Sequence, residues 1–224
     1  MYKPIVWIFL ISILVFSCDQ KPESETVKSI SENVNIPTER INLWNGNDFS
    51  GWTKYVPDST VNVDTVWTIV DNVIDCSGKP IGYFRTETEY ANYKLVLEWR
   101  WPEEPGNSGV LLHISPPDKV WPKSIEAQLM SENAGDFYVI GGTDFDEHIN
   151  KDSRRIEKHN DNSENSPGEW NKYEIICKEN TITLYVNGVL QNKATNTSVS
   201  YGKIGFQSEG KPIQFKNIFL EPIE

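Results

Sequence analysis

The sequence predicts an all-β domain, a sandwich or jelly roll. Three observations carry that prediction. Short runs of alternating apolar and polar residues recur along the chain, each bounded by turn residues. Asn187-Gly188 lies between two such runs, and Asn-Gly in that setting is the strongest short-range hairpin signal. No stretch shows a convincing helical period, an internal repeat or a Gly-rich phosphate loop.

The chain opens differently. Lys3 precedes an apolar run from Ile5 to Phe16, too short to span a bilayer comfortably, which ends V-F-S-C at Val15 to Cys18. That ending resembles a bacterial lipobox, whose cysteine is lipidated and becomes the first mature residue. Residues 1–18 therefore read as a lipoprotein signal peptide, 19–40 as a polar tether, and 41–224 as the folded domain. The expected location is the cell envelope, on the outer membrane or its periplasmic or surface face, with the membrane reached through a lipid on Cys18. The remaining cysteines, Cys76 and Cys177, lie in strand-like runs; a disulfide and two buried thiols are both open. A net charge of −11 repels phosphate backbones and disfavours nucleic acid as a partner.

The strands follow in order. Ile41 to Trp52 carries Asn-Gly and Ser-Gly turns between aromatic core residues. Val66–Val70 and Val73–Cys76 flank Asp71-Asn72 as a hairpin. Tyr83–Thr86 is a short strand. Tyr93 to Trp101 puts Leu95, Leu97, Trp99 and Trp101 on one face and Lys94, Val96, Glu98 and Arg100 on the other. Val110–Ile114 is stopped by Pro116-Pro117. Gly141 to Gly168 is polar and aperiodic, which predicts a functional lid or a mobile insertion. Trp170–Cys177, Thr181–Val186, Val189–Asn192, Lys203–Ser208 and Ile213–Leu220 complete the domain.

The most informative stretch is Trp121 to Tyr138. Ile125, Ala127 and Leu129 alternate with Ser124, Glu126 and Gln128. One face of this strand is apolar and packs on a core; the other presents a carboxylate beside an amide. Aromatic residues border it, and Trp121 could stack on a pyranose ring. Such a face suits a sugar. Gln207 and Glu209 share a face in the same way, as do Glu98 and Arg100. His113, His148 and His159 are available to a metal, but no H-x-x-x-H or C-x-x-C spacing organises them. G-x-S-x-G is missing, and the segment Glu126 to Met130 lacks the partner carboxylates of an ordinary retaining jelly-roll glycosidase.

Eight segments in order then resemble one family: L-W-N-G-N-D-F-S-G-W (Leu43 to Trp52), L-E-W-R (Leu97 to Arg100), G-N-S-G-V (Gly106 to Val110), S-I-E-A-Q-L (Ser124 to Leu129), G-D-F-Y (Gly135 to Tyr138), G-E-W-N-K-Y (Gly168 to Tyr173), Y-V-N-G (Tyr185 to Gly188) and G-F-Q-S-E-G (Gly205 to Gly210). Together they look like the 3-keto-disaccharide hydrolase domain, DUF1080. The resemblance implies a concanavalin A-like jelly roll of two antiparallel sheets. It implies action on 3-keto-glycosides supplied by a 3-dehydrogenating oxidoreductase, in some members with a metal.

For such a substrate a base removes the C2 proton, which the C3 ketone acidifies, and the aglycone leaves C1. Glu126, His113 and Asp136 are the expected catalytic residues, with Glu126 as base or metal ligand. Gln128, Arg100, Glu98, Asn107, Trp121, Lys123, Tyr138, Gln207 and Glu209 are expected to bind substrate. Arg100, Lys123 or His113 would stabilise the enolate, and Asp136 or Glu209 would assist the leaving group. A divalent metal would be held by Glu126 and His113. The alternative is a non-catalytic carbohydrate-binding module of a glycan-uptake system.

Overall fold

The computed structural model describes residues 1, 2 and 33–223. The lipobox, Cys18 and most of the tether lie outside the described residues. Within them the chain forms seventeen strands. The first eight are β1 (Val34–Asn35), β2 (Ile41–Asn42), β3 (Trp52–Tyr55), β4 (Trp67–Val70), β5 (Val73–Cys76), β6 (Gly82–Thr86), β7 (Glu89–Ala91) and β8 (Tyr93–Arg100). The rest are β9 (Gly109–Ser115), β10 (Lys123–Gln128), β11 (Phe137–Ile140), β12 (Arg155–Ile156), β13 (Asn171–Lys178), β14 (Thr181–Val186), β15 (Val189–Ala194), β16 (Tyr201–Ser208) and β17 (Ile213–Pro222). The expected strands are present; the shortest, β1, β2, β7 and β12, are too brief to leave a period in the sequence. β1 falls inside the segment expected as tether and pairs parallel with β7.

Two sheets pack face to face. The nine-stranded sheet runs β1-β7-β16-β9-β10-β11-β12, with β6 and β3 continuing from β16. The eight-stranded sheet runs β15-β14-β13-β8-β17-β5-β4, with β2 beside β17. Apart from β1 with β7, neighbours are antiparallel. Asp71 and Asn72 both take positive φ (51° and 66°), as do Asn187 and Gly188 (50° and 80°), so both short hairpins turn in the sense that matches strand twist.

Alternation fills the space between the sheets. Leu95, Leu97 and Trp99 of β8, Tyr173 and Ile175 of β13, and Ile125 and Ala127 of β10 are fully buried. Phe84 and Phe206 stack at 5.0 Å in the nine-stranded sheet, and Phe215 from the other sheet meets their ring edges at 6.2 and 5.3 Å. Cys76 and Cys177 are separate buried thiols, and burial pushes them up to about 11 and about 12.

Two expectations change. Glu98 and Arg100 lie on the outer face of the eight-stranded sheet, on the opposite side of the sandwich from Glu126. Glu98 pairs with Lys216 (3.2 Å) and Arg100 bonds Gln214 (2.7 Å) and stacks on Trp170. They stabilise that face and belong to no sugar site.

The segment 141–168 is a strap. Its backbone bonds the rim of the fold through Asp146 N–H to Thr195 O (3.0 Å), His159 N–H to Gln191 O (2.8 Å) and Asp144 O from Ser198 N–H (2.9 Å). β12 adds to β11, and Phe145 is buried against Phe137. The segment looks aperiodic because side-chain amides and hydroxyls dock it, with single apolar anchors.

Because Phe206 joins three aromatic rings across the sandwich, Phe206→Ala is expected to lose about 3–5 kcal/mol of stability. Urea unfolding followed by tryptophan fluorescence measures this; a loss below about 1 kcal/mol would place the core elsewhere.

Candidate active site

β10 lies between β9 and β11, and its register puts Glu126 opposite Leu111 and Tyr138, and Gln128 opposite Gly109. β16 borders β9 on the other side, with Phe206 opposite Val110. Side chains of even number on β10 and odd number on β16 therefore share the outer face of the nine-stranded sheet. Asn107, Glu126, Gln128, Tyr138 and Glu209 line a small hollow there of about 100 Å³, closed at its edge by Trp121, Ile140, Met130 and Arg154. Ligand pockets usually run to ~300–1,000 Å³, so this hollow has room for only a small part of a ligand.

Gly109 makes the arrangement possible. A Cβ at that position would come within 2.1 Å of Glu126 Oε1 and 2.7 Å of Gln207 Oε1. The carboxyl and the amide occupy the space that any other residue on β9 would need. Gln207 is fully buried beside the Glu126 carboxyl, whose charge its amide favours, and neither amide atom makes a hydrogen bond of ordinary geometry. Asn107 Oδ1 is also buried and unpartnered. Unpaired buried amides cost stability unless a ligand supplies the missing bonds. Gln128 is held differently: its Oε1 accepts the backbone N–H groups of Leu129 (2.8 Å) and Met130 (2.9 Å), which leaves its NH₂ as a donor toward the hollow.

The electrostatics single out the carboxyls. Burial, and next the charge of Glu209, push Glu126 up to about 8, against the smaller opposing effects of Gln207 and Arg154. Burial also raises Glu209, while Asn107 and the Arg154 guanidinium favour its charge. The two acids thus interact across the hollow, and burial favours the protonated form of each, more strongly for Glu126. A larger hollow of about 670 Å³ near Trp52, Lys54 and Asp64 lacks this signature. Asp48 there sits low, at about 2, through Ser50 and Asn45, and Asp64 is lowered through Lys54.

Not every expected residue arrives. His113 follows Leu111 by two, which under strict alternation places it on the outer face. β9 instead carries an extra residue relative to both neighbours, between Leu112 and Ser115 against β10 and between Leu111 and Ile114 against β16. His113 is at this bulge with φ 57°. It turns inward, fully buried, with its ring 5.8 Å from Tyr93 of the other sheet and Nδ1 3.3 Å from Val199 O. Burial lowers it to about 4, so it is neutral and structural.

Asp136 is buried under the strap. It accepts Arg155 Nε (2.6 Å) and the Lys158 N–H (2.8 Å), and it fastens that segment instead of assisting a leaving group. Lys123 is exposed at the start of β10 and does not line the hollow. Arg154 was not singled out by the sequence. It reaches the hollow because Val139 N–H bonds its carbonyl (3.0 Å), and no pattern in a polar segment announces such a docking. Glu126 and His113, the pair expected to hold a divalent ion, lie on opposite faces of the nine-stranded sheet, and no group of three His, Cys, Asp or Glu side chains converges among the described residues, so the residues present do not fit a resident metal.

The raised Glu126 has a signed consequence. Below pH about 4.5 it is protonated folded and unfolded; between that and about 8 only the unfolded chain ionises, so stability falls with rising pH. The fall spans that window and is complete above it. Glu126→Gln should remove it, so that the variant overtakes the parent in urea unfolding at pH 9 but not at pH 4.5. Equal pH dependence in both proteins would mean that Glu126 ionises normally.

Comparison with known proteins bears on the fold and the family. No curated protein matches the chain. Among solved structures, a provisionally assigned glycosyl hydrolase from Parabacteroides distasonis superposes with TM-score 0.60 at 19% identity, covering 83% of this chain and 94% of that one. A β-glucanase from Bacillus licheniformis gives 0.56 at 12%, covering 82% and 97%. The carbohydrate-binding module CBM66 from Bacillus subtilis gives 0.55 at 11%, covering 76% and 95%. These likenesses show the fold, the expected concanavalin A-like jelly roll. Residues 39–221 match the model of a 3-keto-alpha-glucoside-1,2-lyase-like domain, and a match over most of the chain shows that the protein belongs to that family.

Proposed function

We propose that this protein cleaves 3-keto-glycosides, including 3-keto-disaccharides, by elimination, with Glu209 as base and Glu126 as acid. The observation that carries the reading is the Glu126–Glu209 pair: one acid held neutral to about pH 8, its partner beside an arginine and an amide. In a 3-keto sugar the ketone acidifies C2–H. The Glu209 carboxylate takes that proton, and the electron pair forms the enolate with C3–O. The pair then closes a C1=C2 bond as the C1–O bond breaks, and the departing oxygen takes the proton of Glu126. The products are an unsaturated keto sugar and a free alcohol. Glu209 is left protonated and Glu126 ionised, and exchange with water resets both. Addition of water across the new double bond would complete a net hydrolysis.

The roles differ from the sequence expectation, in which Glu126 is a base or a metal ligand. A carboxyl that keeps its proton at neutral pH is a donor. Arg154 supplies the cation for the developing enolate oxygen, in place of Arg100, Lys123 and His113. The Gln207 amide, Asn107 Oδ1 and the Gln128 NH₂ are the groups left to recognise hydroxyls and the ketone. A module that only binds sugar has no use for a buried neutral acid, which argues against the binding-module alternative. The lipobox-like ending at Cys18 supports attachment to the cell envelope, and an oxidoreductase acting at C3 would supply the substrate.

Glu126→Gln and Glu209→Gln should each lower turnover of a 3-keto-disaccharide by 10²-fold or more, and the unoxidised disaccharide should not react. Parent activity should fall as pH rises past about 8, where Glu126 loses its proton, and should also fall in acid as Glu209 gains one. Equal cleavage of keto and non-keto sugars would overturn the elimination. An E126Q enzyme with full activity would remove Glu126 from it.

A further inference from the structure

The loop between β9 and β10, residues 116–122, carries Trp121 to the edge of the hollow. Its anchor lies on a different strand. Asp118 accepts Arg85 Nε at 2.8 Å and Arg85 NH2 at 2.6 Å through its two oxygens, and Tyr83 donates its hydroxyl to Asp118 at 2.9 Å. Both partners belong to β6, two strands away from β9 across β16. The Arg85 side chain is only 11% exposed and that of Asp118 29%, so this two-pronged pair is shielded from water. Under the loop, Tyr83, Leu111, Ile114 and Ile140 form a small apolar cluster on the outer sheet face, and Trp121 packs against it. Ile140 and Trp121 are also walls of the hollow.

The loop therefore ends with Trp121 at the edge of the hollow that Glu126 and Glu209 line. The Asp118–Arg85 pair, the Tyr83 hydroxyl and the packing of Trp121 on the apolar cluster hold it there. The Ser124 hydroxyl to Pro122 O bond (3.0 Å) fixes only its end, next to β10.

We propose that Asp118 is a positioning residue for this site: by latching the β9–β10 loop to Arg85 and Tyr83 it holds Trp121 as a fixed stacking wall for the sugar ring. The kinetic part of this inference rests on the function proposed above; the structural part does not. Trp121 touches the ring equally before and after bond breaking, so the latch contributes uniform binding and governs KM more than kcat.

Two measurements on the full-length protein decide it. The first needs no substrate: iodide quenching of tryptophan fluorescence should rise in Asp118→Ala, and the rise should vanish when Trp121→Phe is also present. The second uses a 3-keto-disaccharide. D118A should raise KM roughly fivefold to tenfold, with kcat within about threefold, and should add nothing in a Trp121→Ala background. Asp118→Asn, which keeps the side-chain shape but not the charge, is read by the same two measures in case D118A does not fold. Unchanged quenching in D118A or D118N, or a KM effect equally large without Trp121, overturns the latch. A parent protein that leaves the keto sugar intact overturns the proposed function instead, and the quenching result still judges the latch.

Discussion

One constraint governs the outer face of the nine-stranded sheet: a carboxyl must be kept out of water without being neutralised by a buried cation. Glu126 is 5% exposed, and the space it occupies exists because β9 has glycine at 109. An ionised carboxylate in that setting would be costly, so the group keeps its proton. Gln207, on the strand beyond, shares the same gap with both amide atoms unpaired. Three adjacent strands, β16, β9 and β10, thus spend stability on one polar point. The aromatic packing across the sandwich, with Phe84, Phe206 and Phe215 directly behind these strands, is the compensating term.

The bulge in β9 then divides the face. Before it, Gly109 and Leu111 look outward in register with Gln128 and Glu126. At His113 the alternation slips, so Ile114 takes the outward position and joins the apolar cluster beneath the β9–β10 loop. One side of the slip is polar and open, the other greasy and covered. A strand of strict alternation would have extended the polar row and left the loop without a floor. The inward histidine is the by-product, lodged against Tyr93.

Legibility in the sequence followed the range of the interactions. Period-two strands and the two short hairpins were readable because neighbours in sequence define them, and Glu126 with Gln128 was readable for the same reason. Glu209 and Gln207 were found by the identical rule on β16. What failed needed information from a partner strand. Glu98 and Arg100 alternate as well as Glu126 does, and nothing local tells which sheet they face. His113 was misplaced by one inserted residue, visible only against β10 and β16. Asp136 was expected beside a leaving group, although a buried acid with the Arg155 partner was equally compatible with its position. Arg154 and Asp118 act from segments without a period, where docking depends on single polar contacts. The proposed role of Glu126 as an acid, in place of a base or metal ligand, has the same origin: residue type gives the group, and burial biases its protonation state.

The site's remaining parts come from loops, and their attachment bears on how the proposed chemistry would work. Arg154 hangs from a strap bonded along the rim of the sandwich, and Trp121 from a loop latched to β6. Each is fixed to the sheet by at least one buried or half-buried polar anchor, Asp136 with Arg155 in one case and Asp118 with Arg85 in the other. Walls attached in this way stand in place before a substrate arrives. A cation already oriented at the enolate position stabilises charge as it develops and needs no reorganisation at that moment. The same holds for a proton already resident on Glu126. An elimination asks for little else, because the ketone in the substrate supplies the electron sink that other glycosidases must create with a nucleophile or an oxocarbenium-stabilising carboxylate. A single acid–base pair, one arginine and a few polar amides are then a sufficient set for the proposed elimination, in which the two carboxyls only exchange protons and neither attacks C1.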